Sequence, residues 1–206
     1  MNTMSEAIKH IGERFEDKGA LADFRSHAWG RFQAWGLPAV KHEEWRYTRV
    51  SGLFRDDMIF PLRVNGVSAS DLEPYLLPEH DEATSLVFVN GIYTPALSEV
   101  NHAATELVAV PLAEASNHPE YAEVVRASLG QSAPYHPDGI MALNSAFADH
   151  GLFIRVMNGK QLDRPVYIYH ISDAREAFVL SQPRTLVHVG AAASVLVQLP
   201  VMAGSQ

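Results

Sequence analysis

Leu21, Phe24, Ala28, Phe32 and Trp35 recur at spacings of three and four residues, which predicts one amphipathic helix with a single apolar face. Gly36 followed by Leu37-Pro38 supplies its stop. Upstream, Ala7, Ile8, Ile11 and Phe15 repeat the period with charged residues between them, and Gly19 separates this first segment from the second. Two short helices are expected, packed on each other or on later elements of the chain. Lys41 to Arg55 is rich in charge and aromatics, and Ser68 to Pro78 carries Asp71, Pro74 and Pro78, so both stretches read as connecting structure.

The pattern then changes. Ser85 to Val89 is a short apolar, β-branched run closed by Asn90-Gly91 and followed directly by Ile92-Tyr93-Thr94, which predicts a hairpin. Between Asn101 and Phe147 helical spacing returns, with Tyr121, Val124, Val125 and Leu129 ahead of Gly130, and Asp138 as the N-cap of a helix over 139–148. From Leu152 the chain reads as strands: Leu152 to Val156, Val166 to Ile171, Thr185 to Val189 and Ser194 to Leu199, divided by turns such as Asn158-Gly159 and Gly190-Ala191. Strands without intervening helices suit a sandwich, a barrel or a β-solenoid, and spacing alone does not choose among them. The small residues Gly190 to Ala193 suit tight solenoid corners. The tail from Pro200 to Gln206 is not expected to continue the strand pattern, so a solenoid begun here would present an open end. The expected organisation is a helical region over 1–84, a mixed hairpin and helix segment over 85–151, and a β region over 152–206.

Of the 206 residues 47% are hydrophobic, enough for a sizeable core. Sixteen basic against twenty-four acidic residues give a net charge of -8, the wrong sign for a nucleic-acid partner. The absence of cysteine excludes disulfides, a thiolate nucleophile and sulfur ligation of a metal or cluster by this chain. Met1 to Lys18 interleaves charge with apolar residues and so lacks the apolar run of a secretory signal; no later stretch is long enough to span a membrane, and the chain reads as cytoplasmic.

Candidate chemistry is sparse. The ten histidines are scattered, without His-x-His or His-Glu-x-x-His spacing, and no metal site is expected. His170 and His188 are the sharpest pair, since both fall on expected strands and could stack in successive solenoid rungs. There is no Gly-x-Ser-x-Gly elbow, and Asn158-Gly159-Lys160 reads as a turn rather than a phosphate cradle. Glu43 and Glu44 are sequence neighbours that point apart on regular backbone, a poor acid–base pair. Trp45 and Tyr47 around Arg46 are either a stacking surface or, the expected reading, an aromatic anchor with Arg46 pairing locally. No catalytic, cofactor-binding or metal-ligating residue is expected on this chain.

Four stretches stand out in order along the chain: Gly36-Leu37-Pro38 with Glu43 to Thr48, Leu86 to Gly91, Ala142 to Asp149 with Gly151 to Ile154, and Leu162 to Val166. Together they resemble the SufD family of subunits of the SufBCD iron-sulfur cluster assembly complex. The resemblance implies an α+β chain in which an N-terminal helical region leads into the first rungs of a right-handed parallel β-helix. It implies a non-catalytic scaffold that acts with SufB and with the SufC ATPase. The iron-sulfur cluster, flavin and ATP of such an assembly would belong to the whole complex, with no cofactor on this chain. The sequence stops near the start of the implied β-helix, so it reads as an N-terminal, apparently truncated half. No functional residue is carried over, and a homodimer through the open end is a further expectation. Two other readings are a stand-alone interaction module and a β-solenoid carbohydrate-active enzyme. The latter needs clustered Asp, Lys or Arg on successive rungs, whereas Arg155, Lys160 and Arg164 are dispersed.

Overall fold

The computed structural model describes residues 12–13, 15, 18–19, 21–39, 43–54, 57–61, 63–64, 66–131 and 138–203. Most of the expected first helix, with Ala7, Ile8 and Ile11, lies outside these; Phe15 is inside and stacks on Trp29 at 5.4 Å. The second expected helix is α1 (Ala22–Trp35), closed by Gly36 at φ 66°, whose N–H donates to Phe32 O at 2.7 Å. Asp138 caps α5 (Gly139–Ala146) by accepting from Met141 N at 2.8 Å. Ala28 and Phe32 of α1 pack on Ala142, Leu143 and Ala146 of α5, with Phe60, Phe147 and Leu180 completing this cluster. Among the described residues, the connecting stretch holds only the short turns Glu43–Trp45, Val50–Leu53 and Glu73–Tyr75 and the single-turn helix α2 (Ala69–Leu72).

Eight strands among the described residues form two sheets. The hairpin is present as β1 (Thr84–Val89) and β2 (Ile92–Tyr93), with Asn90 at φ 52° and Gly91 at φ 84°, the double positive φ that a two-residue hairpin turn requires. Where only helical structure was expected, Leu107–Pro111 is a strand, β3. A four-residue apolar run satisfies either period, and antiparallel pairing with β4 (Leu152–Val156) decides it. Two single-turn or short helices come after β3 in the chain, α3 (Leu112–Ala115) and α4 (Ala122–Ser128).

From β4 the chain passes alternately between the sheets: β4, then β5 (Val166–Ser172), β6 (Thr185–Val189), and finally β7 (Val197–Gln198) with β8 (Val201–Ala203). Pairing is parallel and in register, Leu152 to Val156 against Thr185 to Val189 in one sheet and Thr84 to Val89 against Val166 to Ile171 in the other. The expected strand from Ser194 to Leu199 shrinks to β7, and the tail is corrected: β8 continues the pairing with β5. Pro200 has no N–H to give and interrupts the strand, while its carbonyl accepts from His170 N at 2.9 Å. The corners stack as well. Gly159 N donates to Ala191 O, Leu162 N to Ser194 O, and Ala191 N to Asn158 Oδ1. Gly190 lies so close to Asn158 that no side chain fits there.

The faces of the two sheets that meet enclose Leu86, Phe88, Leu107, Leu152, Ile154, Val156, Val166 and Ile168. The other face of the first sheet is covered by α2 over Val87, Val89, Tyr167 and Tyr169, and that of the second by α3 and α4 over Phe153. Burial on both faces explains why β1 and β5 read as nearly continuous apolar runs rather than alternating ones.

Candidate functional site

The second coil of chain, β6 with β7 and β8, pairs among the described residues on one side only, against β4 and β5. Val187 and Val189 stand in register with Ile154 and Val156 and so point to the same inner face. Ile154 and Val156 are fully buried, whereas Val187 and Val189 are 38% and 43% exposed, and Leu196, Leu199 and Val201 are more exposed still. One further strand laid on this edge would bury the two valines, each contributing roughly 1 kcal/mol as a fraction of its full transfer value. From Thr185 to Gln206 there is no Asp, Glu, Lys or Arg, in a chain that is 19% charged. Edge strands that must stay unpaired are normally protected by charge, and this one is not. That charge gap was readable in the sequence, although strand spacing alone does not reveal it.

The structure separates His170 from His188. Consecutive strands of the coil enter different sheets, so strands that stack are two apart in sequence, and β5 never meets β6 side by side. His170 lies between Phe88 and Val201 in the first sheet, its ring on Phe88 at 5.0 Å, and burial pushes its pKa down. His188 sits opposite Arg155 in the second sheet. The two histidines therefore do not stack on successive strands, and the pairing weighed for them in the sequence does not form. Among the described residues no three His, Cys, Asp or Glu side chains come close enough to hold a metal ion, and with no thiolate the donor set does not fit an iron-sulfur cluster.

The remaining candidates resolve into structural roles. Trp45 is half-buried but Tyr47 is 91% exposed with the Arg46 guanidinium 5.6 Å from its ring centre, so among the described residues Tyr47 is not the expected anchor to the core. Arg155 pairs with Glu120 at 3.1 Å, Lys160 with Glu106 at 3.6 Å, and Arg164 binds Glu82 O and Asn101 O. They do not converge. An open cleft of about 470 Å³ is lined by Phe60, Arg63, Asn90, Asp173, Arg175 and Glu176 among others. Arg175 there is committed to both Asp173 oxygens, at 2.8 and 2.9 Å, and to Gly66 O. Those bonds hold the Asp173 carboxyl below the usual carboxylate range. Asn90 and Asp173 in turn exchange two hydrogen bonds, tying the hairpin turn to the end of β5. Sequence spacing gave no sign of this strut, whose members are brought together only by the β1–β5 pairing.

Residues 7–168 match the family model described as the SufBD protein N-terminal region. The chain is 26% identical over 153 residues to an iron-sulfur cluster assembly SufBD family protein of Synechocystis sp., an alignment covering 74% of this chain and 33% of that protein. It is 28% identical over 142 residues to the iron-sulfur cluster assembly protein SufD of Escherichia coli, covering 66% of this chain and 28% of that protein. The aligned region spans about a third of the length of these curated relatives.

Proposed function

The chain belongs to the SufBD family, whose members take part in iron-sulfur cluster assembly, and from that membership we propose that it is a non-catalytic scaffold piece acting with SufB and SufC in the cytoplasm. The observation that carries this reading is the pair of in-register parallel coils ending on an apolar, uncharged edge. We read those coils as the first rungs of a right-handed parallel β-helix and the edge as the place where the scaffold is extended. A surface of this kind offers backbone N–H and C=O groups and apolar side chains, which pair strands. In this proposal the cluster is cargo of the assembly, and flavin and ATP belong to the assembled complex rather than to this chain.

The test is co-expression of the chain with SufB and SufC from the same source, followed by affinity purification and native mass determination. Co-purification in a defined stoichiometry is the expected result. Failure to co-purify, in parallel with success of a full-length SufD, overturns the proposal; a homodimer in place of the complex would assign the edge to a second copy.

A further inference from the structure

The edge of β1 that faces away from β5 is only partly covered by β2, which reaches Phe88 and Val89. A strap of backbone from Ser98 to His102 covers the rest. Val87 N donates to Ser98 Oγ at 2.9 Å, Ser85 and Glu99 exchange backbone bonds of 2.8 and 2.7 Å, and Asn101 N and His102 N donate to Thr84 Oγ1 at 3.0 and 3.3 Å. Arg164 reinforces it from the β4–β5 turn by donating to Asn101 O at 3.1 Å and Glu82 O at 2.9 Å. Thr84 is fully buried and His102 is 5% exposed.

The hydrogen-bond inventory at Thr84 favours one state of His102. A threonine hydroxyl has one hydrogen to give and two lone pairs to fill. Both lone pairs are taken by the N–H groups of Asn101 and His102, so the hydroxyl hydrogen goes to the remaining neighbour, His102 Nδ1, at 2.8 Å. This count makes Nδ1 the acceptor and the imidazole neutral with its proton on Nε2, a buried atom that meets no hydrogen-bond partner among the described residues. A second proton on Nδ1 would face an oxygen with no lone pair left. Burial, together with the nearby Arg164 guanidinium, holds His102 below the ordinary histidine range against the opposite pull of Glu106 and Asp163.

We propose that His102 is a proton-operated catch: neutral, it fastens the Ser98–His102 strap over the edge of β1, and protonated, it lets the strap go. Opened, the strap would leave the amides of Ser85 and Val87 free to accept another strand. The sign follows from linkage. The freed imidazole takes a proton near its ordinary value of about 6.5 and the fastened one does so only at lower pH, so closure is complete above about pH 6.5 and weakens as pH falls below it. One proton is exchanged, which sets a limit of about tenfold in the closed-to-open ratio per pH unit.

The experiment is amide hydrogen exchange of the whole chain from pH 7.5 to 5.5, corrected for intrinsic rates. Protection at Ser85 and Val87 is expected to drop by up to about tenfold per pH unit below about 6.5 while protection in β4 and β5 holds. Flat protection at Ser85 and Val87, or an equal loss throughout β4 and β5, overturns the proposal. His102→Asn keeps an acceptor near the position of Nδ1 but cannot titrate, and is expected to remove the pH response; persistence of that response also overturns it. Should that variant fail to fold, nitrogen NMR of the wild-type imidazole decides: an Nδ1–H tautomer at pH 7.5 refutes the catch, and an Nε2–H tautomer supports it.

Discussion

Two glycine-to-alanine substitutions in the packed pair α1 and α5 should move stability in opposite directions. Gly30 lies in the middle of α1 on its exposed side, and a methyl group there would meet nothing within 4 Å. Gly30→Ala then changes only helix propensity and should stabilise the chain by about 0.5 to 1 kcal/mol. Gly139 opens α5 directly against the end of α1, and a methyl group there would overlap the Gly36 carbonyl oxygen. That oxygen is backbone and has no rotamer to escape into. The helices must separate, loosening Phe32 against Leu143 and Ala146, and such overpacking costs about 1 to 3 kcal/mol, more than any propensity gain at a helix start. With a urea slope of about 2 kcal/mol per molar, a 2 kcal/mol loss lowers the midpoint by about 1 M, readily measured by circular dichroism. A Gly139→Ala midpoint at or above wild type would refute the close helix contact, and a destabilised Gly30→Ala would refute the propensity argument.

Arg25 is buried with its Nη1 3.2 Å from Asp149 and its Nε donating to Ala146 O at 2.9 Å, so Arg25→Ala should cost about 2 to 4 kcal/mol by stranding both partners, a loss that chemical denaturation would register. Val189→Lys places a charge on the uncovered edge; it should leave the urea midpoint nearly unchanged but abolish any concentration-dependent association seen by sedimentation. His170 is held below the usual histidine range by burial, so its neutral form contributes stability that declines as pH falls below about 6.5, and His170→Gln should flatten the pH dependence of the midpoint.

Local chemistry carried the elements it could encode by itself. β4 and β6 have the bounds their β-branched runs suggest, the Asn90-Gly91 turn makes its hairpin, and Asp138 caps its helix, because each depends on residues adjacent in sequence. β3 was hidden because four apolar residues do not distinguish a strand from a helix until a partner strand is known. β8 was hidden because Pro200 reads as a stop, although on a strand paired on one side only it interrupts without ending. The candidate site divides the same way. The apolar edge is legible as a run without charge, whereas the fate of His170 and His188 turns on which sheet each strand joins, and the Thr84–His102 catch links positions that no periodicity connects.

The two edges of the first sheet are managed by opposite means, and the contrast gives the fold a direction. On the β1 side the sequence commits β2, the strap, a buried threonine, a histidine and Arg164 to filling every exposed ladder position from Thr84 to Val89. On the side of β7 and β8, and along β6 of the second sheet, it commits neither a covering segment among the described residues nor a charge in the sequence. Unprotected apolar edges invite pairing, and this one has the short β7 and Pro200 to interrupt it but neither the cover nor the charge that would block a further strand, which is what the proposed extension needs. Parallel in-register stacking already repeats across β4 and β6 and across β1, β5 and β8, and the next strand would meet the same spacing and the same column of inward apolar side chains. Extension at that edge therefore requires no rearrangement of what is already folded, while extension at the β1 edge requires the strap to open first.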